Sequence, residues 1–177
     1  MPCISVMQLD ANASSDTFNC MSKPAAQQRT ALKALTRLTR AQAMLTAAIE
    51  QALKVANLPG LAHHDVLAVL AEAPELRLRP SEIGAAVVMA QYNLSRLIDR
   101  LVAAKYASRV AVDGDARGQW VVMTLDGAVI HRQMADVVAQ TAQGRFDAAM
   151  DGDQLRKLSK MLRRLAPEAA NAGDASH

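Results

Sequence analysis

The stretch Leu97-Ile98-Asp99-Arg100-Leu101-Val102-Ala103-Ala104-Lys105, with Asp115-Ala116-Arg117-Gly118-Gln119-Trp120-Val121-Val122-Met123-Thr124-Leu125-Asp126-Gly127 soon after it, changes its hydrophobic period midway. Leu94, Leu97, Ile98 and Leu101 recur at helical spacing, which predicts a helix from Gln91 to about Lys105. Its other faces carry Gln91, Asn93, Ser95, Arg96 and Arg100. Beyond it, Ser108 to Val112 and Gln119 to Thr124 read as strands. The linking run Asp113-Gly114-Asp115-Ala116-Arg117-Gly118 has the Gly and Asp residues that suit a hairpin.

Working outward, Pro80-Ser81-Glu82 opens a short helix reaching about Val88, since proline is tolerated in a first turn and glutamate there complements the helix dipole. Leu76 to Arg79 alternates like a very short strand, and Leu61 to Ala73 reads as a helix ended by Pro74. Long amphipathic patterns flank this lobe. Leu32, Leu35, Leu38, Leu45, Ile49 and Leu53 form an apolar stripe between Pro24 and Leu58, with Ser22 as N-cap and Pro59-Gly60 as the stop. Downstream, Leu125 to Met150 and Asp153 to Leu165 are expected helices separated and capped by Asp151-Gly152-Asp153.

The expected class is therefore mainly α (α+β): a winged helix-turn-helix lobe over residues 61–124, inside a domain spanning 23–166. Helices 24–58, 125–150 and 153–165 carry more apolar surface than a small lobe can hide, so they read as dimerisation helices. Residues 1–22 and 167–177 lack a lasting period and read as disordered tails. Met21-Ser22-Lys23-Pro24 has the form of a start of its own, leaving open whether Met1 or Met21 begins the chain.

Composition agrees with one helical domain. Hydrophobic residues make up 51% of the 177, yet aromatic residues only 3%, so the core is built from aliphatic side chains and methionine. The net charge of +3 is compatible with a polyanion without establishing one. No apolar run approaches a membrane span and the first twenty residues lack the pattern of a secretory leader, so a cytoplasmic protein is expected. Cys3 and Cys20 precede the body and read as incidental reduced thiols, with a redox-sensing role for Cys20 as the alternative.

Together, the helix end Leu97 to Lys105, the segment Asp115 to Gly118 and the exit Val121 to Gly127 resemble the recognition helix, wing and wing exit of the MarR family of transcriptional regulators. The motif resemblance covers Leu61 to Gly127, and the helix pattern extends it from Pro24 to Leu165. It implies a ligand-responsive homodimeric repressor on a pseudo-palindromic operator. Its first, fifth and sixth helices would interlock between chains, while each lobe faces double-stranded DNA. The chain departs from the family at Lys105-Tyr106, where a Gly commonly stands, and at Ala116, which replaces a frequent basic wing residue.

Groove chemistry assigns the residues. The amides of Gln91 and Asn93 suit adenine edges, Arg96 guanine or phosphate, Ser95 phosphate, and Tyr92 a thymine methyl or plain packing. Arg100 adds positive charge beside them. Arg117 at the hairpin tip suits a narrow minor groove, and the resemblance implies that Asp115 holds the wing's shape around it. Between residues 77 and 117 seven basic residues face four acidic ones, a footprint that charge alone would assign to a solvated surface. The order of motifs tips it towards DNA.

Weaker signals remain. His63, His64 and His131 suggest a metal site, but no cysteine lies in the body and no His pair has i, i+4 spacing, so capping or polar lining is preferred. With Trp120 the same histidines are candidates to line an effector crevice, for which the resemblance implies an aromatic acid. No phosphate loop, nucleophile elbow or His-x-x-x-His spacing points to an enzyme, and no cofactor is implied. A winged-helix interaction module without DNA binding is the remaining alternative.

Overall fold

A computed structural model describes residues 16–87, 91–112 and 115–166; the described side chains begin at residue 25 and exclude 91, 92, 112 and 115–117. The chain divides into two compact units at Met44/Leu45. The first holds most of helix α1 (Asp16–Val55), along which Leu32, Leu35, Leu38 and Met44 are 64%, 60%, 45% and 59% exposed. α1 begins at Asp16 and not at Pro24, so residues 16–22, expected in a tail, are helical. None of them is Gly or Pro, and Pro24 removes one backbone donor without ending the helix.

In the second unit, α1 stops ahead of Pro59-Gly60. Asn57 takes the left-handed conformation (φ 55°), while Leu58 N donates to Leu53 O and Asn57 N to Lys54 O. This is a Schellman ending, in which Asn is a common substitute for Gly. The Glu50 carboxylate then accepts from Leu61 N at 3.0 Å, tying the end of α1 to the first turn of α2 (Leu61–Glu72). A single 3₁₀ turn at Pro74–Leu76 leads into β1 (Arg77–Leu78). Next come α3 (Pro80–Ala86), α4 (Gln91–Ala103), β2 (Ala107–Val112), β3 (Asp115–Met123), α5 (Leu125–Asp147) and α6 (Gly152–Leu165).

The sheet is antiparallel in the order β1-β3-β2. Its inner face meets a core of Val66, Leu67 and Leu70 from α2, Ile83 from α3, Leu94, Leu97, Ile98 and Leu101 from α4, and Val121 and Met123 from β3. Strand β3 starts at Asp115, so Asp115 to Gly118, expected in the hairpin loop, belong to the strand. Val112 pairs with Asp115 after a register shift at Ala111/Val112. That pairing brings the two strands within two residues of each other in the sequence.

The exit of α4 and the start of α5 are joined at one point. Lys105 is left-handed (φ 64°), with Tyr106 N donating to Leu101 O and Lys105 N to Val102 O. This Schellman geometry explains why a Gly is at home here. Thr124 Oγ1 donates to Lys105 O at 2.6 Å, Thr124 N to Tyr106 O at 3.1 Å, and Gly127 N to Thr124 Oγ1 at 3.0 Å. Gly127 lies against the Tyr106 carbonyl so closely that a Cβ would overlap it.

Candidate nucleic-acid interface

Helix α4 divides cleanly. Leu94, Leu97, Ile98 and Leu101 are buried, which leaves Asn93, Ser95, Arg96, Asp99 and Arg100 on the exposed surface. Anchoring by four aliphatic side chains fixes the rotation of the helix about its axis, and that rotation decides which polar groups can reach a groove. Asn93, Ser95, Arg96 and Arg100 are thus brought onto one short exposed element. Gln91 and Tyr92 open α4, but their side chains lie outside the described residues.

The wing is tied to α4 by a residue that the sequence reading counted only among the basic ones. Arg109 on β2 donates through Nη2 to Asp99 Oδ1 at 2.6 Å and through Nη1 to Gln119 Oε1 at 3.1 Å. One guanidinium therefore bridges α4, β2 and β3, using the fork geometry that suits Arg and not Lys. The signal in sequence was only an alternating strand with one basic residue. Nothing local reveals that Asp99, ten residues earlier, faces it.

Trp120 was expected as a crevice residue. Its ring is met by Arg77 and Arg79, whose guanidinium carbons lie 5.0 and 5.2 Å from the indole centroid. Arg77 also pairs with Glu75 at 2.5 Å. Asp115 and Arg117 lie in β3, and Cys20 in α1; the side chains of all three are outside the described residues.

The histidines do meet. His64 on α2 and His131 on α5 place their rings 5.5 Å apart, and His64 Nδ1 lies 3.4 Å from Asp65. Burial pushes His131 below its usual value, with nearby His64 adding to this and Glu72 opposing it. Burial lowers His63 too; the Gly60 carbonyl and Glu50 oppose this, and Arg100 reinforces it. His63 Nδ1 is buried without a hydrogen-bond partner among the described residues. No cluster of three or more metal-ligating side chains occurs among those residues. Nor is any helix among them long and apolar enough to cross a membrane.

Comparison with known proteins agrees with this geometry. Residues 56–118 match the model of the MarR family. Among solved structures, Sco3205, a MarR family transcriptional regulator from Streptomyces coelicolor in complex with DNA, is 21% identical with a TM-score of 0.69, over 80% of this chain and 86% of that one. A cysteine-to-serine mutant of MarR from E. coli, complexed with operator DNA, is 24% identical with a TM-score of 0.66, over 75% and 94%. BpsR from Bordetella bronchiseptica, whose DNA binding is regulated by 6-hydroxynicotinic acid, is 22% identical with a TM-score of 0.68, over 75% and 98%. At these identities the shared property is the fold. Among curated proteins none matches.

Proposed function

We propose that this chain, whose residues 56–118 match the model of the MarR family, is a cytoplasmic transcriptional regulator that binds double-stranded DNA sequence-specifically as a homodimer, with α4 as the reading element. The observation that carries this is the exposed row Asn93, Ser95, Arg96 and Arg100, backed by buried leucines and locked to the wing through Asp99–Arg109–Gln119. A rigid polar helix beside a hairpin matches the demands of major-groove reading with an adjacent minor-groove contact. Gln91 and Asn93 are assigned to adenine edges, Arg96 to guanine or phosphate, Ser95 and Arg100 to phosphate, and Arg117 to the minor groove, with Asp115 holding the wing. Tyr92 is assigned to a thymine methyl.

A pseudo-palindromic operator follows from two such lobes related by a two-fold axis, and repression is the mode that the family resemblance implies. A small effector, an aromatic acid by the family resemblance, would act by changing the spacing of the lobes. Selection of bound duplexes from a random-sequence pool tests the reading. Enrichment of two inverted half-sites about one helical turn apart supports it. A pool that stays unenriched while the protein still binds leaves only charge-driven association and overturns sequence-specific regulation.

A further inference from the structure

Trp120, the only tryptophan in the chain, has a place in the lobe that the reading element does not explain. Along β3, Val121 and Met123 point into the core, so Trp120 and Val122 lie on the opposite face of the sheet. Arg77 pairs with Val122 across β1 and β3, and Arg79 follows two residues later on the same side. Both guanidinium groups reach the indole.

The surrounding charge argues against a phosphate clamp. Glu75 pairs with Arg77, and Glu82, which accepts from the backbone N of Arg79 at 2.6 Å, adds a second carboxylate to the short segment that carries the two cations. The arrangement is suited to a mechanical task. Strand β1 is only two residues long and grips β3 weakly through its backbone, and the stacked side chains widen that grip. The neighbouring Gln119 anchors the opposite face through Arg109 and Asp99. Adjacent residues thus hold the wing strand from both sides.

We propose that Trp120 is a positioning residue for duplex binding: gripped by Arg77 and Arg79, it fixes the pitch of the wing against β1 and the start of α3 before DNA is met. This rests on the DNA-binding reading above. The test uses the full-length chain, a fluorescein-labelled random-sequence duplex and a series of salt concentrations. Trp120→Leu is expected to weaken binding about tenfold, the scale of two lost ring–cation contacts, and Trp120→Phe to restore most of the loss by keeping a ring. The double variant Arg77→Gln, Arg79→Gln should weaken binding with an unchanged salt slope, because no phosphate contact disappears. A slope shallower by about 0.9 per arginine would make them phosphate ligands and overturn the proposal.

Wild-type affinity in Trp120→Leu overturns it as well. Tryptophan emission provides the arm that does not depend on DNA: the double Arg variant should shift the emission of the free protein, and unchanged emission refutes the stack. A wild-type chain that ignores every duplex while its emission responds to the Arg substitutions would instead bring down the DNA reading, and the positioning role with it.

Discussion

Gly127 allows the start of α5 to press against the turn that follows α4, and replacing it with alanine tests that packing directly. A Cβ built there overlaps the Tyr106 carbonyl oxygen and comes within 2.9 Å of its carbon and 3.1 Å of Met123 Cγ. The carbonyl has no freedom to swing aside, since it accepts from Thr124 N at 3.1 Å and follows the left-handed Lys105. Relief must come from moving the whole first turn of α5. Overpacking of this kind costs about 1–3 kcal/mol, and replacing a helical Gly with Ala returns about 1 kcal/mol. Backbone is the obstacle on one side, so the upper end of the range applies and a net loss of roughly 2 kcal/mol is expected.

For a chain of this size that corresponds to a melting temperature lower by roughly 4–8 °C. Gly144→Ala provides the control within the same helix, because a Cβ there meets nothing within 4 Å. It should stabilise by about 0.5–1 kcal/mol. Urea unfolding of the two variants beside the wild type reads both effects. If Gly127→Ala unfolds at or above the wild-type midpoint, the junction is not close-packed as described.

Other outcomes can be checked on the same preparations. Arg109→Ala should cost about 1 kcal/mol or less in urea unfolding, since its pair with Asp99 is 33% and 65% exposed, yet it should weaken duplex binding more than this by freeing the wing from α4. Equal binding in an anisotropy titration would show that the bridge does not set the wing. Lys105→Gly should raise stability by about 1 kcal/mol by relieving the left-handed backbone, and a lower melting temperature would contradict the Schellman assignment. His63 and His131 have folded-state values below 6.5, so they contribute stability that is present above pH 6.5 and is lost as the pH falls through their folded values. Replacing His131 with Gln should flatten the stability profile in that window. Sedimentation at micromolar concentration should give a mass twice 19.0 kDa, and Leu158→Glu on α6 should reduce it to one chain.

Legibility in the sequence followed the range of the interactions. Helix α4 was readable because its four leucine and isoleucine positions repeat locally, and α6 because Asp151 and Gln154 form a capping box within one turn. The stop of α1 was misplaced because Pro59-Gly60 is the louder signal, although Asn57 had already taken the left-handed position. The start of β3 was missed for a different reason: Asp115 to Gly118 look like loop, and only pairing with β2 makes them strand. The Arg109 bridge and the Trp120 stack stayed hidden because each joins residues from separate elements through the sheet register. Of the expected crevice residues, the structure brings His64 and His131 together, a contact between helices that no spacing rule could supply.

These contacts differ in how readily they yield, and the difference locates where the lobe can respond to a signal. From α4 through the wing to the first turn of α5 the connections are short hydrogen bonds and backbone contacts: Arg109 to Asp99, Thr124 to Lys105, Gly127 against Tyr106. Bending anywhere along that path breaks bonds already satisfied. The contact between α2 and α5 is of another kind, with two imidazole rings 5.5 Å apart and the Nδ1 of adjoining His63 without a partner among the described residues. An unpaired buried donor or acceptor gains free energy from any ligand atom or proton that completes it. On the regulator reading proposed above, a rigid path beside a soft contact would direct an input at the histidines into the α2–α5 contact, and α4, the wing and the first turn of α5 would move as one body with the reading surface intact.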